Sequence, residues 1–178
     1  MTEIEAIETS TPSFEMDADF SHQPRFLPDF LRAAQDHDLV LGSRYIPGGG
    51  TENWSWSRKM ISQGGNMYAR LILWLPYKDL TGGFKAWRTE LLARLDVDSF
   101  AANGYGYQIE TTYRALQAGA RIVEVPITFR DRELGQSKMN TGIAVEAVSA
   151  VWRIRLNPAP SARPAGPAGP RDGAAGRG

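Results

Sequence analysis

Cysteine is absent from the 178 residues, which excludes a disulfide framework, a zinc-thiolate site and a cysteine nucleophile. Net charge is also missing: 20 Lys and Arg balance 20 Asp and Glu, so no whole-protein field draws in nucleic acid or a membrane surface. No run approaches the roughly 18 consecutive apolar residues of a bilayer span. Residues 1–13 lack the basic start and apolar stretch of a secretory signal.

Apolar residues nevertheless make up 42% of the chain, enough for one domain with a real core. Charge is unevenly placed. Glu3, Glu5 and Glu8 make the start acidic, while Arg163, Arg171 and Arg177 make the end basic. We expect residues 1–13 to be a leader outside the domain. From 157 to 178, Pro, Gly, Ala and Arg without periodicity predict a disordered tail.

Between these ends the patterning alternates strand and helix. Phe14 and Met16 predict a short strand, followed by a turn carrying Asp17 and Asp19 and a helix over 24–36 with Phe26, Leu27, Phe30, Leu31 and Ala34 on one side. Residues 38–43 have buried-strand composition, and 44–56 form a glycine-rich loop. That order suggests a parallel crossover from the first strand to the second. The longest helix is expected over 57–75, ended by Pro76, with Gly64-Gly65 implying a close approach or a kink. A short strand over 84–88 and a helix over 89–95 follow. A further helix over 108–117 is closed by Gly119 in a left-handed cap. Residues 121–130 alternate as one strand, placed at a sheet edge by Pro126. A broad apolar helix over 142–156 completes the domain. Core packing is its first explanation and membrane docking a second.

Asp17 and Asp19 leave one face of a strand and can converge on one hard cation, with waters or phosphate oxygens completing its shell. Asp19 equally suits a helix cap. Three segments add cations. Arg44 follows a strand directly, where open α/β sheets bind ligands. Arg58 and Ser62 stand one turn apart at a helix start that favours anions. The loop from Arg130 to Lys138 adds Arg132 and Ser137 around Gly135. Each cation alone suits a solvated surface. Together with the Asp pair they point to phosphoryl-linked glycosyl transfer.

Seven segments occur in order: Asp17-Ala-Asp19-Phe-Ser21-His22, Gly42-Ser-Arg44-Tyr45, Arg58-x-x-x-Ser62-x-Gly64, Asp79-Leu-Thr-Gly-Gly-Phe84, Gly104-Tyr-Gly-Tyr107-Gln108-Ile-Glu110, Glu124-Val-Pro-Ile-Thr-Phe129 and Asp131-Arg132-x-x-Gly135-x-Ser137-Lys138. This series resembles the motifs of polyprenyl-phosphate (dolichol-phosphate) mannosyltransferases, inverting enzymes of glycosyltransferase family 2. The resemblance implies a GT-A fold and transfer of mannose from GDP-mannose to a polyprenyl phosphate with Mg²⁺ or Mn²⁺. Asp17 and Asp19 would bind the metal that bridges the donor diphosphate. Arg44, Arg58 and Ser62 would hold the acceptor phosphate. Arg132, Ser137 and Lys138 would belong to a loop closing over the phosphates, with Asp19, Arg44 and Lys138 as the catalytic group. Ser21 stands where some relatives have Gln, so the third metal ligand is open. A phosphate monoester, with a second pKa of about 6, needs no strong general base, so His22 and His37 need no catalytic role.

The same resemblance implies an upstream nucleotide-binding half of βαβ units, each of about 30 residues, which the segment before Phe14 does not supply. The expected fold class is therefore α/β, an incomplete GT-A fold lacking the N-terminal nucleotide-binding strands, with residues 14–156 as its acceptor-side part. Impaired activity of the isolated chain is expected, with an exposed strand edge prone to association. The alternative is a non-catalytic polyprenyl-phosphate-binding module or a partner of another glycosyltransferase chain. Either would work in the cytoplasm, peripherally at the inner face of a membrane, with a membrane-anchoring or complementary chain as a partner and no nucleic acid.

Overall fold

The structure, a computed structural model, describes residues 12–19, 21–95, 100, 104–131 and 141–157. Most of the expected leader and tail, and the site candidates Arg132, Ser137 and Lys138, lie outside the described residues.

Strand β1 (Ser13–Glu15) leads through the Asp turn to a short 3-10 turn (Pro24–Phe26) and helix α1 (Leu27–Ala33). Strand β2 (Leu39–Ser43) is buried at every position, as a strand covered on both faces must be. Its residues alternate between two cores. Leu39 and Leu41 pack with Trp87, Leu91 and Ala115; Val40 packs with Phe30, Phe84, Val125 and Ile127 on the other side.

The loop after β2 contains strand β3 (Gly50–Glu52) and ends at Ser55, whose hydroxyl accepts the Arg58 backbone N–H (3.3 Å) and so caps helix α2 (Trp56–Leu73). Helix α2 runs unbroken through Gly64 and Gly65, and a Cβ at either would meet nothing within 4 Å. The close approach expected there does not occur. Trp74 closes the helix in a left-handed conformation (φ 56°).

Strand β4 (Lys85–Trp87), helix α3 (Thr89–Arg94), helix α4 (Tyr105–Gln117), strands β5 (Ile122–Pro126) and β6 (Thr128–Arg130), and helix α5 (Thr141–Leu156) complete the described elements. Gly119 adopts the left-handed conformation predicted for it (φ 77°). The period-two segment is divided at Ile127: β5 pairs in parallel with β2, whereas β6 pairs in parallel with β3 in a separate two-stranded sheet.

Among the described residues the main sheet has the order β1-β4-β2-β5, open at both edges, with the Pro126 strand at one of them as expected. β4 lies antiparallel between β1 and β2. The first two strands thus share a direction but are not neighbours. Insertion of β4 brings the Asp79–Phe84 turn against the ends of both, and this positions the site.

Candidate active site

Arg44 is the first residue beyond the carboxyl end of β2. Its side chain turns inward rather than to solvent. Nε and Nη2 donate to the two carboxylate oxygens of Asp79 at 2.6 and 2.7 Å, and the Arg44 backbone N–H donates to the same carboxylate at 2.9 Å. Both side chains are buried, the Asp79 carboxylate completely. Nη2 also donates to Thr81 Oγ1 (2.9 Å).

The turn that carries Asp79 is held from two other elements. Glu124 of β5 accepts the backbone N–H groups of Lys78 and Asp79 at 3.0 Å. Asn66 of α2 accepts the Leu80 N–H (2.7 Å) and donates to Ser62 C=O and Thr81 Oγ1. Three successive backbone donors of this link, at Lys78, Asp79 and Leu80, therefore meet side chains. Close packing explains Gly82, where a Cβ would lie 3.0 Å from the Gly42 carbonyl oxygen.

Arg58 and Ser62 come to the same place from the first turns of α2. The Tyr45 hydroxyl donates to Ser62 Oγ at 2.6 Å, and burial raises the pKa of that phenol above its ordinary value. Arg58 Nη1 donates to Asp131 at 2.6 Å. Both guanidiniums lie over one indole, with Arg44 at 5.3 Å and Arg58 at 4.1 Å from the Trp54 ring centroid. Tyr45 and Phe129 also face Arg44. The buried Trp54 Nε1–H has no acceptor among the described residues.

The Asp turn abuts this cationic box through His22. The imidazole is buried, stacked on Phe84 (5.1 Å) and edge-on to Phe129 (5.3 Å). Its Nδ1 accepts the Asp17 backbone N–H at 2.9 Å. Burial lowers its pKa, with Asp17 opposing that effect and Arg44 reinforcing it. Asp17 keeps about half of its side chain exposed (49%). Asp19 Oδ1 accepts the Ser21 N–H (3.0 Å), a local turn bond. The following helical turn has Gln23 at its cap with no side-chain cap bond, so Asp19 is not its cap. Among the described residues no three His, Cys, Asp or Glu side chains converge as a metal site.

The predicted residues Asp17, Asp19, Arg44, Arg58 and Ser62 are thus gathered at one end of the sheet. Asp79, Trp54, Tyr45 and Asp131 were missed as site residues. Asp79 and Asp131 each begin one of the seven motif segments, but their arginine partners lie 35 and 73 residues away. Nothing local distinguishes Trp54 from the other tryptophans.

Residues 14–96 match the family described as glycosyl transferase family 2. Over 142 residues the chain is 52% identical to an undecaprenyl-phosphate mannosyltransferase of Micrococcus luteus, covering 80% of this chain and 58% of that protein. The chain is a homologue of the family 2 polyprenyl-phosphate mannosyltransferases. A polyprenol monophosphomannose synthase of Mycolicibacterium smegmatis is 45% identical over 144 residues, 79% of this chain and 54% of that protein. The chain therefore spans a little over half the length of these curated relatives. Its open mixed sheet with helices on both faces is consistent with a GT-A-like domain.

Proposed function

We propose that this chain forms the acceptor side of an enzyme that transfers mannose from GDP-mannose to a polyprenyl phosphate. The observation that carries the reading is the pair of guanidiniums, Arg44 and Arg58, over the Trp54 ring beside the Asp17–Asp19 turn. A cationic, partly apolar box next to two carboxylates suits a phosphate monoester on one side and a metal-bridged diphosphate on the other.

In this reading Arg44, anchored by Asp79, holds the acceptor phosphate together with Arg58 and Ser62. The phosphate is largely ionised near neutral pH; its oxygen bonds to mannose C1 as the bond from C1 to the GDP oxygen breaks, and GDP leaves with that electron pair. Asp17 and Asp19 offer hard oxygen donors that fit Mg²⁺ or Mn²⁺, and as two carboxylates they leave coordination positions for diphosphate and water. Such an ion, when bound, neutralises charge on the departing diphosphate. By the same resemblance Arg132, Ser137 and Lys138 close over the phosphates, with Asp19, Arg44 and Lys138 the catalytic group.

Apolar side chains are exposed along one stripe of α2, at Trp56, Met60, Met67 and Leu71, and at Trp74, which closes that helix; Val148, Trp152 and Leu156 are exposed on α5. No described helix is long and apolar enough to cross a membrane. We assign this surface to peripheral contact with the cytoplasmic face of a bilayer, where a polyprenyl phosphate is presented.

The test joins the chain to the portion of the Micrococcus luteus relative that the match leaves out. Product is measured from GDP-mannose and undecaprenyl phosphate in vesicles with Mn²⁺. The joined protein is expected to make mannosyl phosphoundecaprenol and to stop on chelation; the chain alone is expected to make little. Lack of product from the joined protein, beside an active intact relative, overturns the reading in favour of a non-catalytic lipid-phosphate module.

A further inference from the structure

We infer that Asp131 is a built-in competitor of the acceptor phosphate, occupying Arg58 until the phosphate displaces it. The inference rests on the reading of Arg58 as an acceptor-phosphate ligand.

The two arginines of the site are paired in different ways. Asp79 is fully buried and meets Arg44 through the backbone N–H and two guanidinium nitrogens. Separating that pair would strand a charge in the interior. The Arg58–Asp131 contact is equally short at 2.6 Å but shallow, with side chains 20% and 31% exposed. Water can solvate the carboxylate once it leaves. The guanidinium retains a second contact when that happens, 4.1 Å from the Trp54 ring centroid. The Asp131 main chain is held separately, its N–H donating to the Glu52 carbonyl (3.2 Å), so exchange of its carboxylate at Arg58 does not require β6 to unpair from β3.

Carboxylate and phosphate cannot share Arg58 comfortably. A phosphate monoester carries about −1.5 to −2 charges near neutral pH, and a carboxylate within hydrogen-bond distance of the same guanidinium would repel it. The dianion, with more acceptor oxygens and more charge, is the stronger partner for a fork of N–H donors. Asp131 therefore keeps the arginine paired in the empty site and lowers affinity for weaker anions. A lipid phosphate binds by exchange rather than by filling an idle cation.

The experiment measures binding of the full chain to phosphatidylcholine vesicles containing undecaprenyl phosphate, against vesicles containing undecaprenol. Arg58→Ala is expected to remove most of the phosphate-dependent difference. Asp131→Asn and Asp131→Ala are expected to strengthen phosphate-dependent binding by about fivefold to tenfold, as release of a partly exposed charged hydrogen bond allows, and to leave binding to undecaprenol vesicles unchanged. Combined with Arg58→Ala, either should fall to the level of Arg58→Ala alone. If Arg58→Ala weakens binding while both Asp131 variants, melting cooperatively, leave it equal or weaker, the competitor role is wrong and Asp131 positions Arg58 instead. If the chain shows no preference for the phosphate, or Arg58→Ala keeps it, the reading of Arg58 fails and the inference falls with it.

Discussion

Arg44 and Asp79 are joined by three hydrogen bonds, one from the Arg44 main chain and two from its guanidinium, in a fully enclosed setting. The pair ties the end of β2 to the turn before β4. It makes the position of the arginine independent of any ligand, and it leaves Arg58 as the cation whose partner can be exchanged.

Removing one member of that pair should be costly. Asp79→Ala is expected to lower unfolding free energy by about 3–5 kcal/mol, the loss typical of a buried charge left alone. An Arg44→Met, Asp79→Leu double variant should recover a large part of it. Urea denaturation of these proteins and of the single variants Arg44→Met and Asp79→Leu checks this, and a cost for the double variant equal to the sum of those two singles would show that the pair does not act as a unit.

The Tyr45–Ser62 bond links the segment after β2 to α2. Tyr45→Phe and Ser62→Ala should each cost about 1 kcal/mol, and the double variant should cost little more than either. A double-mutant cycle on thermal unfolding measures the coupling.

Lys85 gives the fold a pH dependence. Its ammonium is buried, donating to the Gln108 carbonyl (2.9 Å) and Thr111 Oγ1 (2.7 Å). Burial lowers its pKa from 10.5 to about 7, against the pull of Glu15 and Asp79. Between those values the unfolded chain holds a proton that the folded chain does not, so stability rises with pH across the window and the burial cost is fully present below about 7. From pH 7 to 9 the gain should be about 2 kcal/mol. Lys85→Met is expected to flatten that slope, since Thr111 can itself donate to Gln108 C=O (3.1 Å); an unchanged slope in denaturation at several pH values would refute the assignment.

The apolar stripe of α2 should matter at a lipid surface and not to the fold. Leu71→Ser with Trp74→Asn is expected to reduce sedimentation with anionic vesicles by about tenfold or more, given the apolar area withdrawn from water. The melting transition should hardly move, because both side chains are mostly exposed. Asn also suits the left-handed conformation of residue 74.

Local chemistry alone determined much of this protein. The apolar run at Leu39–Leu41 marks a doubly covered strand, helical spacing marks α2 and α4 to within a few residues, and Gly119 marks a left-handed cap. These features depend on neighbours within a turn or two, and periodicity records them. The Asp pair, Arg44, Arg58 and Ser62 were also legible, through residue type and order. Tertiary structure decided what long-range pairing decides. It placed β4 between β1 and β2, divided one alternating segment between two sheets, and left Gly64 and Gly65 without the close neighbour they suggested. Above all it chose the carboxylates: Asp79 for Arg44 and Asp131 for Arg58. A charge pattern along a chain shows which groups need partners. Which partner each obtains, and whether it can be given up, depends on burial, and burial exists only once the distant segments have packed.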